Sequence, residues 1–265
     1  MFNLTPTVRN LLFLNIGFFL IQQNVPAMRL TQLGSLYPFG SPYFQPWQFL
    51  TYMFLHGSWG HIISNMFGLV SFGPMLEQRW GGSRFLTFWL ICGLGAGGLY
   101  QGVRYYENAK MEQAAADFHR EPTGGGFADF FRDNFPEANG YESLARGLQQ
   151  NPQNADYIDA ANKAVDGVVE EVKNSPYAGM LGASGALFGV LFAFAYLFPN
   201  TELFLLFFPF PIKAKYFVFF YAVYELYKGV HRTPGDNVAH YAHLGGLLIG
   251  FIILKFWERG RQQFY

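Results

Sequence analysis

The chain has 265 residues and a formal net charge of zero, from 18 basic and 18 acidic residues. Residues 105–176 contain 13 acids and 6 bases, a net charge of −7, so the rest of the chain carries +7, and there the charged fraction is about a third of that of an ordinary soluble domain. With 51% hydrophobic residues, this composition excludes a disordered chain and a uniformly basic nucleic-acid-binding protein, and it indicates a membrane protein with a polar insert.

Six apolar stretches are candidates for membrane spans, since a helix needs about 20 residues to cross a hydrocarbon core about 30 Å thick. They predict an all-α, polytopic membrane protein in which residues 1–104 (spans one to three) and 177–265 (spans four to six) flank an acidic insert at 105–176. Polar residues inside several spans indicate that these helices lie within a bundle. In chain order, the predicted spans are 8–25, 61–76, 85–103, 181–198, 216–227 and 238–257.

The first stretch has two possible interpretations. Arg9 precedes an apolar run at residues 11–21, which is also the pattern of a secretory signal peptide. No cleavage site of the A-x-A type follows, and the run continues to Val25. We therefore interpret it as a retained first helix.

Lysine and arginine residues in short loops predict the orientation, because they favour the cytoplasmic side of a membrane. Eight lie on the side shared by both termini and three on the other side. This distribution predicts a cell (inner) membrane protein with both termini in the cytoplasm and an extracytoplasmic insert. The eight are Arg9, Arg79, Arg84, Lys213, Lys215, Lys255, Arg259 and Arg261, and the three are Arg29, Lys228 and Arg232.

Two connecting segments have compositions of their own. The loop at 26–55 is rich in proline and aromatic residues, which favour the headgroup level, so we expect it to be partly embedded in the membrane. The insert is expected to be soluble and mainly helical, with a helix at 107–120, a glycine-rich break at 124–126 and a later helix capped by Asn154 or Asp156.

His56, His61 and Asn65 are polar residues at the start of the second predicted span. His61 and Asn65 are four residues apart and share one helix face, whereas His56 lies in the preceding loop. Interhelical hydrogen bonding is the simpler interpretation of such residues, and it is favoured for His56. For His61 and Asn65 a functional site is favoured, because two donors converge from one face.

Ser184 lies among small residues at the start of the fourth predicted span, in the sequence Gly182-Ala-Ser184-Gly185-Ala-Leu-Phe-Gly189. Gly185 and Gly189 indicate close helix packing, which alone would explain the motif. A serine at a helix N-terminus, however, lies beside free backbone N–H groups that stabilise an oxyanion. Ser184 is therefore a candidate nucleophile.

His243, Gly246 and Gly250 are spaced by three and four in the sixth predicted span, so they share one stripe of a helix. If this stripe packs on the small-residue stripe of the fourth span, His243 approaches Ser184. A serine with a histidine as base is the core of a site for acyl transfer. The sixth span contains no aspartate or glutamate that could orient His243, so the pattern predicts a dyad rather than a triad.

Together these residues resemble the rhomboid family of intramembrane serine proteases. The resemblance covers the predicted membrane part of the chain and not the insert. Four motifs carry it, in chain order: His56-x4-His61-x3-Asn65, Glu77-Gln-Arg79-Trp-Gly81, Gly182-x-Ser184-Gly185 and Ala242-His243-x-Gly-Gly246-x3-Gly250.

The resemblance implies a six-helix rhomboid-like bundle and a serine endopeptidase that cleaves single-span membrane proteins within the lipid bilayer. It implies that Ser184 is the nucleophile, His243 the general base, and His61, Asn65 and the Ser184 backbone N–H the oxyanion hole. No cofactor, metal or nucleic-acid partner is indicated, and no partner of the insert is identified. The other motif residues receive structural roles: a structural histidine (His56), a pair that holds the first loop (Glu77 and Arg79), an aromatic ring against the catalytic imidazole (Phe188), and small packing residues (Gly182, Gly185, Gly189, Gly246 and Gly250).

Several alternatives stay open. A catalytically silent relative that binds membrane proteins usually lacks the serine or the histidine, and this chain has both. A metal enzyme could use His56, His61, His240 and His243, although their spacing matches no HExxH helix and the single Cys92 excludes a thiolate cluster. His240 is either an alternative base or a packing residue, and the insert is either a gate for substrate or a lineage-specific decoration.

Overall fold

The computed structural model of the protein describes residues 4–204, 210–231 and 239–258. Within these ranges the chain is mostly helical, and its sheet consists of two short antiparallel strands in which Leu203 pairs with Ile212. The elements are α1 (Pro6–Asn24), α2 (Leu30–Gly34), α3 (Gln48–Thr51), α4 (Trp59–Trp80), α5 (Gly82–Arg120), α6 (Gly124–Asn134), α7 (Glu142–Gln150), α8 (Ala155–Asn174), α9 (Ser184–Leu197), β1 (Glu202–Leu203), β2 (Ile212–Lys213), α10 (Ala214–Val230) and α11 (His240–Trp257).

Each predicted span overlaps a helix, but the boundaries differ, and two of the differences have a clear physical cause. α5 continues to Arg120 instead of ending near residue 103, because residues 104–120 contain good helix formers and no proline or glycine. α9 begins only at Ser184, because Gly182 has a φ of +130°, which is outside the helical region. Four residues used in the sequence predictions lie outside the described residues, namely Arg232, Val238, Arg259 and Arg261.

Among the described residues, α5 and α11 are long and apolar enough to cross a membrane. A third span results if α1 and the segment Pro26–Gly34, which is bent by 101° relative to it, are counted as one. α9 is apolar but has only 14 residues. It is therefore about 21 Å long, shorter than a hydrocarbon core of about 30 Å. The count of six spans stays a prediction.

The chain divides into two compact units. The second unit has a hydrophobic core of its own, built from the C-terminal part of α5 with α6, α7 and α8, in which Leu148, Ala161 and Val165 are fully buried. Its many acidic residues therefore surround an ordinary apolar core. The first unit comprises Met1–Tyr37, Phe44–Gln101 and Gly179–Tyr265, and the second comprises Pro38–Tyr43 and Gly102–Ala178.

The helix that ends at Arg120 is followed by a break at residues 121–123, and the glycine run at 124–126, where the break was predicted, begins the next helix. The hydroxyl of Thr123 accepts a hydrogen bond of 3.0 Å from the Gly126 N–H and caps α6. Because that cap satisfies a free donor of the first turn, the glycines can start the helix despite their low propensity. Of the two caps considered for the later helix, Asn154 is the one observed, since its side chain accepts from the Asp156 N–H at 2.9 Å.

The N-terminal halves of α9 and α11 pack against each other through glycines. A Cβ atom on Gly246 would overlap the carbonyl oxygen of Gly185. A Cβ atom on Gly250 would lie 3.0 Å from the Cα atom of Gly189, which is tighter than ordinary van der Waals contact. The two small-residue stripes therefore face each other, and the backbones of α9 and α11 approach more closely than larger residues would allow.

The substitution Gly246→Ala is expected to lower the free energy of unfolding by about 1–3 kcal/mol, because the added methyl group overpacks the contact between α9 and α11. The measurement is thermal unfolding of the purified protein in detergent. Gly98→Ala in α5 is the matched control, since nothing lies within 4 Å of its Cβ position, and it should leave the melting temperature unchanged or slightly raised. Equal melting temperatures for G246A and the wild type would contradict this close helix contact.

Candidate active site

Ser184 is the first residue of α9, and it is half-buried. The segment before it is held by the first loop, because Leu36 and Met180 exchange two backbone hydrogen bonds of 2.8 and 2.9 Å. The N–H of Gly182 also donates to the carbonyl of Tyr52 at 2.9 Å. The first loop thus fixes the position of the chain just before Ser184. The N–H of Ser184 itself belongs to the first helical turn and has no acceptor within the helix.

His243, in the first turn of α11, lies within hydrogen-bond distance of Ser184. Its Nε2 atom is 2.8 Å from Ser184 Oγ. His243 is 8% exposed, and its imidazole stacks on the ring of Phe188, with centroids 4.3 Å apart and an angle of 8° between the planes. The stacking fixes the plane of the imidazole, and the packing of α9 on α11 brings its edge to the serine. The structure therefore places these three predicted site residues together.

A carboxylate that the sequence analysis did not assign lies on the other side of His243. Glu225, in α10, is 2% exposed, and its Oε2 atom is 2.9 Å from His243 Nδ1. An ionised carboxylate only accepts hydrogen bonds, so His243 Nδ1 carries the proton and Nε2 presents its lone pair. This is the tautomer that can accept the hydroxyl proton of Ser184.

The same carboxylate oxygen also binds His240, whose Nδ1 atom is 2.6 Å away. Glu225 lies in α10, outside the sixth predicted span, so the residues of that span alone predicted a dyad without a carboxylate. The available signal was a single acidic residue in the apolar helix α10, since a charge in a membrane span needs a partner.

A metal ion could be held by one group of the described residues, namely Glu225, His240 and His243, whose ligand atoms all lie within 4.8 Å of one another. Two imidazoles and a carboxylate are chemically suitable for zinc or iron. The four histidines considered in the sequence analysis do not form such a group among the residues described.

His61 and Asn65 lie one turn apart on α4. The N–H of Gly57 donates to His61 Nδ1 at 3.4 Å, so a neutral imidazole carries its proton on Nε2. That Nε2 atom lies beside the segment that leads into Ser184, because a Cβ atom on Gly182 would be only 2.7 Å away from it. Asn65 is 6% exposed, and its Nδ2 atom has no hydrogen-bond partner among the described residues. α4 thus presents one donor near Ser184 and a second, unused donor one turn further along.

His56 is buried in the loop that precedes α4. Its backbone is bound by Gln22 of α1, because the His56 N–H donates to Gln22 Oε1 at 3.1 Å and Gln22 Nε2 donates to the His56 carbonyl at 3.4 Å. The ring packs edge-on against His61, with centroids 5.1 Å apart. Burial lowers the pKa of His56 to about 3, and the neighbouring His61 adds to this shift. A neutral, buried imidazole of this kind is suited to packing rather than to proton transfer.

Glu77 and Arg79 do not hold the first loop in the described structure, which corrects the role implied by the resemblance. Glu77 caps α1 instead, because its two carboxylate oxygens accept from the N–H groups of Thr7 and Val8, each at 2.9 Å. A carboxylate is favourable there, since the N-terminus of a helix has free N–H groups and a positive partial charge. Arg79 forms an ion pair of 3.2 Å with Glu258, directly after α11.

The chain matches the family model described as the rhomboid domain over residues 43–115 and 162–257. Residues 116–161, between the two matched stretches, lie within the predicted insert. This match covers more than half of the chain and includes the serine, both site histidines and the asparagine described above. The chain belongs to the rhomboid family.

Three curated proteins are similar to this chain. An uncharacterised mitochondrial rhomboid protein of Schizosaccharomyces pombe is 29% identical over 220 residues, which is 80% of this chain and 52% of that protein. The mitochondrial rhomboid protein 1 of Saccharomyces cerevisiae is 42% identical over 87 residues (31% of this chain, 25% of that protein). The chloroplastic rhomboid-like protein 11 of Arabidopsis thaliana is 31% identical over 87 residues (32% and 29%).

The chain spans about half the length, or less, of these curated relatives. The family membership and the apolar helices α5 and α11 together identify an integral membrane protein.

The substitution Glu77→Gln is expected to lower the free energy of unfolding by about 1–3 kcal/mol, because the amide is neutral and offers one acceptor oxygen where the carboxylate offers two. Thermal unfolding in detergent measures the effect. Glu121→Gln is the matched control, since Glu121 is exposed and its charge contributes little to stability. A melting temperature of E77Q that equals the wild-type value would contradict the capping role.

Proposed function

We propose that this protein is an intramembrane serine endopeptidase that cleaves single-span membrane proteins. The observation that carries the proposal is the distance of 2.8 Å between Ser184 Oγ and His243 Nε2, combined with the hydrogen bond of the other imidazole nitrogen to a carboxylate. A nucleophile beside a base, with the base oriented by a third group, is the arrangement that acyl transfer requires. Membership of the rhomboid family supports the same class of reaction.

In the proposed reaction, His243 Nε2 accepts the hydroxyl proton of Ser184 while Oγ attacks the carbonyl carbon of the scissile peptide bond. Negative charge then develops on the carbonyl oxygen. The proposed donors to this oxyanion are His61 Nε2–H, Asn65 Nδ2–H and the Ser184 backbone N–H. His243 passes the proton to the leaving amine, and water hydrolyses the acyl-enzyme by the same sequence of proton transfers.

The proposed substrates are membrane-spanning helices that unwind locally in the lipid bilayer. A helix keeps its carbonyl groups in internal hydrogen bonds, so attack requires a segment in which these bonds are broken. The resemblance to the rhomboid family adds the expectation of a small residue before the scissile bond. No cofactor is part of the proposal.

We further propose a six-span membrane part, residues 1–104 and 177–265, in a cell (inner) membrane with both termini in the cytoplasm. The eight-to-three distribution of basic residues supports this orientation. The insert at 105–176 would then be extracytoplasmic. The relatives that are named as mitochondrial or chloroplastic make an organellar membrane the alternative location.

The substitution Ser184→Ala is expected to abolish both cleavage of a model transmembrane substrate in proteoliposomes and labelling by a fluorophosphonate probe, because it removes the nucleophile. Ser83→Ala is the matched control, since Ser83 is exposed in the first turn of α5, and this variant should keep both activities. Cleavage by S184A would contradict the assignment. Failure of the probe to label the folded wild type would favour the alternative function, a catalytically silent binder of membrane proteins.

The substitution Asn65→Ala is expected to lower kcat by roughly 10²-fold with little change in KM, because it removes a donor that acts on the developing oxyanion. The melting temperature should change little, because the Nδ2 atom forms no hydrogen bond with the described residues in the resting protein. Asn24→Ala, at the exposed end of α1, is the control. An unchanged kcat would remove Asn65 from the proposed oxyanion hole.

A further inference from the structure

We infer that Glu225 is a positioning residue of the proposed protease, which holds His243 in the tautomer and orientation that accept the proton of Ser184. His240 in turn holds Glu225. The inference rests on the proposed function and deepens it, because the sequence pattern predicts a dyad without any acidic member.

The geometry forms a continuous chain of hydrogen bonds. It runs from Ser184 Oγ to His243 Nε2 (2.8 Å), from His243 Nδ1 to Glu225 Oε2 (2.9 Å), and from the same oxygen to His240 Nδ1 (2.6 Å). The two imidazole rings are at 86° to each other, with centroids 6.3 Å apart, so they reach the oxygen from different directions. Glu225, His240 and His243 are all buried, which protects the chain from competition by water.

The helices dictate this arrangement. His240 and His243 are three residues apart on α11 and therefore share a face, and α10 packs against α11. One carboxylate on α10 can consequently reach both imidazoles. A hydrogen bond that only ties two helices together would not require its histidine to contact a serine through the opposite nitrogen. The contact of His243 with Ser184 therefore indicates a role beyond helix packing.

Burial makes the carboxylate sensitive to the protonation of His243. An ionised carboxylate in an apolar interior is costly unless a positive charge lies beside it. In the resting protein the two imidazoles bind Glu225 Oε2 through their Nδ1 atoms. When His243 takes the serine proton it becomes an imidazolium, and the pair becomes a buried ion pair. The carboxylate thus stabilises the transition state more than the resting state, which is the condition for a gain in kcat.

The proton inventory of the step is complete without any further group. The bond between Ser184 Oγ and its hydrogen breaks as the bond from Oγ to the carbonyl carbon forms. The proton moves to His243 Nε2 and then to the leaving nitrogen, as the bond between that nitrogen and the carbonyl carbon breaks. The proton on Nδ1 stays between His243 and Glu225 throughout, so Glu225 neither gains nor loses a proton.

The test compares Glu225→Gln with the wild type in proteoliposomes, with a chelator present and a model transmembrane substrate. The amide keeps the shape of the side chain but lacks the negative charge. We expect kcat to fall by at least about tenfold, while KM and the melting temperature stay within about twofold and a few degrees of wild type. His240→Asn should also lower kcat, though less, because it loosens Glu225 without removing the charge.

The matched control is Glu77→Gln, which makes the same chemical change at another buried carboxylate, far from the serine in sequence and bound to α1. It should lower the melting temperature and leave the kcat of the folded protein unchanged. A fall of kcat in E225Q but not in E77Q therefore reports positioning rather than loss of stability. Ser184→Ala, run in parallel, tests the proposed function separately. A wild-type protein without activity would refute the proposed function, whereas the position of Glu225 beside His243 is tested independently by the NMR measurement below.

Three results would overturn the inference. The first is an E225Q variant with wild-type kcat. Similarly, an unchanged kcat in H240N would overturn the part of the inference that concerns His240. The second is loss of wild-type activity on chelation, because a metal ion would then occupy Glu225 Oε2. The third result needs no variant of Glu225. ¹⁵N NMR of histidine-labelled wild type, with the His243 signal assigned from the His243→Asn variant, should show His243 protonated at Nδ1. A proton on Nε2 instead would contradict the proposed role.

Discussion

The glycine-lined contact between α9 and α11 determines the distance between Ser184 and His243. Neither helix has a side chain at Gly185 or Gly246 that could keep the backbones apart. A hydrogen bond tolerates only a few tenths of an ångström beyond its normal length, and a shift of about 1 Å in a reacting group can cost roughly 10²-fold in rate. The packing of the glycine stripes of α9 and α11 therefore decides whether Ser184 and His243 are close enough to form a hydrogen bond.

Several buried polar groups of the same bundle are paired, because each would otherwise lose its hydrogen bonds to water without replacement. Glu77 on α4 binds the N-terminus of α1, and Gln22 on α1 binds the backbone of His56. In α5, Gln101 Nε2 donates to the carbonyl of Tyr37 at 2.6 Å. These contacts join α1, the first loop and α5 to the part of the molecule that holds the candidate site. The polar residues in the helices thus specify which elements meet, while the apolar ones supply most of the buried area.

Ser184 and His243 could be paired from the sequence because their neighbours carry the information. Glycines at spacings of three and four define the faces of α9 and α11, and those faces are fixed by helix geometry alone. The hydrogen bond of Glu225 to His243 follows no such rule. The two residues are separated by 18 positions and lie on different helices, so their contact depends on how α10 and α11 pack. The role of Glu77 was misjudged for a similar reason, since its partners Thr7 and Val8 lie 70 and 69 residues away.

Helix continuity was also harder to predict than helix existence. The change from apolar to charged residues near residue 104 predicts a boundary between membrane and insert, but hydrogen bonding along a helix does not depend on polarity. α5 therefore passes through that change without a break. Breaks occur where the backbone demands them, as at Gly182, whose positive φ ends the extended segment and lets α9 start at the serine.

The free donor of Asn65 connects the resting structure to the proposed reaction. A buried N–H group without a partner costs about 1–3 kcal/mol, and folded proteins rarely leave one in place. The fold nevertheless keeps Asn65 Nδ2 unsatisfied among the described residues, one turn from a histidine whose Nε2–H lies beside the segment leading into Ser184. Under the proposed function, these donors bind a developing oxyanion more strongly than a neutral carbonyl oxygen. In the proposed reaction, the carboxylate of Glu225 would likewise interact more strongly with His243 when that imidazole is protonated, so both contacts would favour the transition state over the resting state.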